Sequence, residues 1–221
     1  MGFLARKCSS RRSSRPGDLG PGPRCSRARV VAEARVGGFL GPGVPPGYHC
    51  SVAATESDFD LVFAALAKRK VRYLVVGGVA VVLHGVPRFT ADIDLVLALD
   101  APNVLAALDA LAGLSYQPRA PVPLQGFADP SLRQNWIEEK GLTVFSLWSP
   151  DHPATEVDLV IEEPFPFEEA FARATRVDLC TNHVTVVSIA DLIDLKRRAD
   201  RPKDREDIER LMALAEGENR G

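Results

Sequence analysis

Hydrophobic positions keep two rhythms after residue 53 and none before it. In TESDFDLVFAALAKRK, Phe59, Val62, Phe63 and Leu66 recur at helical spacing, which predicts a helix with Ser57 as its N-cap. RYLVV reads as a short buried strand, GVAVVLHG as a short helix stopped at Gly85, and DIDLVLAL as a second strand. DAPNVLAALDALAGL predicts a helix capped by Asp100, with Pro102 in its first turn and Gly113 at its end. Residues 115–128 are rich in Pro, Gln and Gly and are expected to form a loop, mobile over a site. DPSLRQNWIEEKG predicts a helix capped by Asp129. LTVFSLW and TEVDLVIE flank the turn SPDHP, and RVDLC and VTVVS flank TNH, so each pair predicts an antiparallel hairpin. PFEEAFARA reads as a helix between the two hairpins. From Ser188 onward, two helices follow, hinged at Arg201–Pro202. Hairpins interleaved with helices predict an α+β domain over residues 53–218: a small, mixed, largely antiparallel sheet with flanking helices and C-terminal helices.

Residues 1–52 behave differently. They hold nine glycines and six prolines among Ser and Arg, without a sustained period, and are expected to be a disordered N-terminal segment. Their net charge is +7, against −9 for residues 53–221. The basic, acid-poor composition is open to three readings besides a segment with no required role: a transit peptide, an extension upstream of the true start, or a nucleic-acid arm. The acidic remainder gives no support to broad electrostatic binding of nucleic acid. No apolar run reaches the roughly 18 residues of a membrane span. Three of the four cysteines lie in the first 52 residues, and no Cys/His ligand spacing occurs. Neither a zinc site nor a disulfide framework is expected, and a reducing cytoplasm is the default.

The chemistry concentrates in YLVVGGVAVVLHGVPRFTADIDLVLAL. Asp92 and Asp94 are two residues apart at the head of a core strand, so their side chains share a face. Two carboxylates so placed repel, and one is driven toward its protonated form unless a partner intervenes. A divalent cation such as magnesium removes that conflict, being held by a few carboxylates together with phosphate oxygens. Asp158, an acid between apolar neighbours in TEVDLVIE, offers a third ligand from an adjacent strand. Gly77 and Gly78 open a helix after a strand, where backbone N–H groups can approach a phosphate. Arg88 lies between the two features. Each residue also has a plainer reading: a solvated or capping Asp-x-Asp, an edge-strand Asp158, a surface ion pair at Arg88. His84 could sit at a helix C-terminus for its dipole alone, and Lys196–Arg198 could be a solvated basic face.

Gly77, Gly78, His84, Gly85, Arg88, Thr90, Asp92 and Asp94 together resemble the signature of the nucleotidyltransferase superfamily, the DNA polymerase beta-like fold. The pattern is most similar to the minimal nucleotidyltransferases that include the AbiEii toxin-like group. The tail SIADLIDLKRRADRPKDREDIERL resembles the same family through Ser188, Asp191, Leu192, Ile193, Lys196, Arg201, Lys203, Asp204 and Asp207. The resemblance implies an enzyme that moves a nucleoside monophosphate from an NTP to an acceptor hydroxyl on a protein, an RNA such as tRNA, or a small molecule. It implies Asp92, Asp94 and Asp158 as catalytic ligands of two magnesium ions. Gly77, Gly78, His84, Arg88, Thr90 and Lys196 would contact the nucleotide, and an antitoxin partner is possible by the same likeness. The alternative is a nucleotide- or partner-binding module of the same fold without turnover.

Overall fold

The computed structural model describes residues 57–179 and 182–218. The N-terminal segment 1–52 and Cys180 lie outside the described residues. Seven helices and seven strands follow in the order α1 (Asp58–Lys68), β1 (Tyr73–Val76), α2 (Gly77–Leu83), β2 (Asp92–Leu97), α3 (Ala101–Ala112), β3 (Gln117–Pro118), α4 (Pro130–Lys140), β4 (Val144–Trp148), β5 (Glu156–Val160), α5 (Phe167–Ala172), β6 (Thr175–Asp178), β7 (His183–Val186), α6 (Ile189–Ala199) and α7 (Pro202–Glu218). The strands form one sheet in the order β3-β4-β5-β2-β1-β7-β6. Four neighbour pairs are antiparallel, while β1–β7 and β2–β5 are parallel. The fold is therefore the expected α+β arrangement, with a mixed, largely antiparallel sheet of seven strands among the described residues.

Helix starts follow local chemistry. The Ser57 side chain accepts from the Asp60 N–H, and the Asp60 carboxylate answers back, forming a capping box. Asp100, Asp129 and Ser188 cap α3, α4 and α6 by accepting backbone N–H groups of the first turn, without the reciprocal bond. The core lies where the central strands β1, β2 and β5 meet the helices: Leu74, Val75, Ile93, Leu95, Val157 and Leu159 have no exposure. In β2 and β5 these apolar residues alternate with acids, so one sheet face is oily and the other carries Asp92, Asp94, Glu156 and Asp158.

The stretch expected to be a mobile loop is pinned instead. It supplies β3 and a short 3-10 turn at Leu124–Ala128. Phe127 is fully buried there, and its ring centroid is 5.2 Å from that of Phe145. Tyr116 and Phe127 are both buried here, and in a Pro/Gly-rich segment without a period neither announces its burial. No helix among the described residues is long and apolar enough to cross a membrane.

Candidate active site

Register brings the acids together. β2 runs parallel to β5 with Asp94 opposite Asp158 and Asp92 opposite Glu156. Neighbouring strands are about 4.8 Å apart, so all four carboxylates occupy one small patch. The mutual field shows in their ionisation. Burial and then the Asp158 charge push the Asp94 carboxyl up to about 6, with Asp92 adding to the rise. A hydrogen bond donated by the Gly78 N–H and the charge of Arg201 pull it back. Burial also raises Asp158, and the charges of Asp92 and Glu156 raise it further, while Ser146 and Arg119 oppose the rise. Ser146 is the register partner of Asp158 on β4.

The diglycine turn is built around Asp94. Gly77 has φ +64°, and a Cβ there would lie 1.9 Å from Asp94 Oδ2. A side chain is excluded both by backbone conformation and by contact. A Cβ on Gly78 would lie 2.6 Å from Thr90 Oγ1 and 3.4 Å from Arg88 Cζ. The two glycines thus let Asp94, Thr90 and the Arg88 guanidinium close on the head of α2. The Gly78 N–H is already given to Asp94, so in this arrangement the turn serves a carboxylate.

The remaining residues of the sequence reading separate. His84 stands at the far end of α2, buried, with Nε2 2.8 Å from the Val187 carbonyl oxygen. It ties α2 to the strand-to-helix junction before α6. Five residues of helix lie between it and Gly78, so it stands about 9 Å along the helix axis from the glycines, and its hydrogen bond is to the backbone of a neighbouring element. Lys196 is buried and donates to Asp204 Oδ1 at 3.2 Å and Asp207 Oδ2 at 2.7 Å. It borders a cleft of about 170 Å³ that also touches Gly77, Asp94, Val96, Leu192 and Arg201. Its ammonium is held by these two carboxylates at the edge of the cleft.

Four participants went unassigned in the sequence. Glu156 repeats, with Asp158, the same two-residue spacing as Asp92 and Asp94, and that spacing was readable. Arg119 binds Glu156 through Nε at 2.8 Å and through Nη2, and feels the charges of Asp158 and Asp92. No local pattern marked it. Arg201 borders the cleft beside Asp94, and Asp207 accepts from Arg88 across 119 residues of sequence. Both belong to the tail signature, but only the fold carries that tail to the sheet.

Whether the acids suit a cation can be tested on the side chains. Asp158 Oδ1 is buried with no hydrogen-bond partner. An orphaned carboxylate oxygen beside two more acids is a costly arrangement that a cation satisfies. As placed, Asp94 leans onto Gly78, and among the described residues no three Asp, Glu, His or Cys side chains close on one point.

A mixed sheet with strand carboxylates set against a glycine turn is the architecture of a nucleotidyltransferase. Residues 58–216 match the family described as "Nucleotidyltransferase of unknown function (DUF6036)", and the chain belongs to that family. No functionally curated protein matches the chain. Among solved structures, ANT(2")-Ia in complex with adenylyl-2"-tobramycin is 17% identical, with 73% of this chain and 89% of that one covered at a TM-score of 0.47. The lincosamide antibiotic adenylyltransferase LnuA, lincomycin-bound, is 16% identical, with 72% and 99% covered at a TM-score of 0.48.

Proposed function

We propose that this nucleotidyltransferase transfers a nucleoside monophosphate from an NTP to an acceptor hydroxyl with the help of a divalent cation held by Asp92, Asp94 and Asp158. The single observation that carries the reading is the register of β2 on β5, which places Asp94 beside Asp158 with an orphaned buried oxygen. Bound there, magnesium would supply positive charge to the triphosphate oxygens.

The chain's own residues do the rest. Arg88, lying on Gly78, places a guanidinium where triphosphate charge gathers. Thr90 packs on the same glycine and fixes the loop that leads into Asp92. Asp158 is the base, taking the acceptor proton directly or by way of the cation it helps to hold. The acceptor oxygen attacks the α-phosphorus, its proton passes to Asp158, the bond to the bridging oxygen breaks, and pyrophosphate leaves. All three acids are present, which weighs against a module without turnover.

The acceptor is a protein or small-molecule hydroxyl rather than RNA. The net charge of −9 over residues 53–221 repels a polyanion of that size, whereas a single NTP is met locally by cation and Arg88. The test is incubation with isotope-labelled NTPs and magnesium, followed by mass spectrometry of protein, RNA and small-molecule fractions. Label should enter a protein or small molecule and be lost with a chelator. Label that persists under chelation contradicts the cation, and label in RNA alone contradicts the acceptor class.

A further inference from the structure

We propose that Asp207, on α7, is a positioning residue that holds Arg88 over the diglycine turn, and that Lys196 fixes Asp207 in turn. The inference rests on the reading of Arg88 as a triphosphate contact. Arg88 lies in the loop before β2, where nothing on its own element fixes so long a side chain. Its local contact is Nε to the Phe89 carbonyl oxygen at 3.5 Å, the outer limit of a hydrogen bond. The strong contact is Nη1 to Asp207 Oδ2. The pair is mostly shielded from water, with side-chain exposures of 18% for Arg88 and 7% for Asp207.

The same Oδ2 accepts from Lys196 Nζ at 2.7 Å. Lys196 also donates to Asp204, which accepts from Arg201 Nε at 2.7 Å and from the Arg201 backbone N–H at 3.3 Å. Both ends of this chain touch the site: Arg88 lies on Gly78, and Arg201 borders the cleft at Asp94. Three cations share two carboxylates, so the cluster carries one net positive charge beside the diglycine turn. Buried ion pairs are poor sources of stability, but removing one partner leaves the other costly and displaced. A flexible arginine held by a second carboxylate loses less entropy when a phosphate arrives, which is how preorganisation raises affinity. The C-terminal helices therefore act on nucleotide binding through Arg88, and the tail residues Lys196 and Asp207 need not touch the ligand.

The test is a double-mutant cycle on nucleotide affinity in the full chain. ATP, GTP, CTP and UTP are titrated with magnesium by calorimetry, and the tightest binder is carried through wild type, Asp207→Asn, Arg88→Ala and the double variant. Asp207→Asn is expected to weaken binding about tenfold, and to add less than about twofold once Arg88 is Ala. Equal weakening in both backgrounds overturns the inference while leaving Arg88 as a phosphate contact. Wild-type affinity in Arg88→Ala overturns that reading and the inference with it. Should Asp207→Asn fail to fold, Asp207→Glu keeps the charge but shifts the oxygen, and the same comparison applies. A purely structural role for Asp207 would lower the melting temperature without any dependence on Arg88.

Discussion

Asp94 carries a conflict between ionisation and burial. It must be ionised to hold a cation, yet burial and Asp158 lift its pKa from the usual 3.8 to about 6. The native state therefore binds this proton more tightly than the unfolded chain. Stability from that proton is full below the unfolded value and is lost as pH rises through the folded one. Without added cation, the protein is expected to melt higher near pH 4.5 than near pH 7, as far as this group is concerned. Asp94→Asn should remove the conflict and stabilise the cation-free protein at neutral pH, by on the order of 2 kcal/mol, while abolishing nucleotidyl transfer. Calorimetric melting across that pH range checks both; a destabilised Asp94→Asn at pH 7 would contradict the account. Residue identities were largely readable: Gly77, Gly78, Asp92, Asp94 and Asp158 stand out by type and spacing. The partner of each charge was not, because Arg88 and Asp207 are joined only by the fold.

At the scale of elements, α2 is a seven-residue rod fixed at both ends. Its head is set by Asp94 and Thr90 against the glycines, and its foot by His84 on the Val187 carbonyl. His84→Ala should cost about 1–3 kcal/mol, the usual loss for a buried hydrogen bond. Nucleotide affinity should stay within about twofold, because the imidazole acts far from the glycine turn. Chemical denaturation beside nucleotide titration separates these outcomes, and a large loss of affinity would make His84 a nucleotide contact. Helices and hairpins were legible because caps such as Ser57, Asp100, Asp129 and Ser188 announce them locally. The parallel pairing of β2 with β5 was not, since α3, β3, α4 and β4 intervene. Nor was the burial of Phe127, which depends on Phe145 from another element.

For the whole molecule, the family match begins at residue 58 and the acids, glycines and tail all fall after it. Deleting residues 1–52 is expected to leave magnesium-dependent nucleotide binding unchanged within about twofold. Steeply salt-dependent binding of nucleic acid that vanishes with the deletion would instead assign that basic segment a role of its own. The acidic charge of the remainder was legible from composition, and the proposed preference for a protein or small-molecule acceptor rests on it. What composition could not supply is the network in which Arg88, Lys196 and Arg201 share Asp204 and Asp207 beside the acidic face.

The most direct measurement is transfer of α-labelled phosphate from an NTP, with pyrophosphate release, by wild type and by the Asp92→Ala/Asp94→Ala double variant, each confirmed folded by circular dichroism. The carboxylate face predicts magnesium-dependent label transfer by the wild type and none by the double variant. Equal transfer by the two proteins would contradict it.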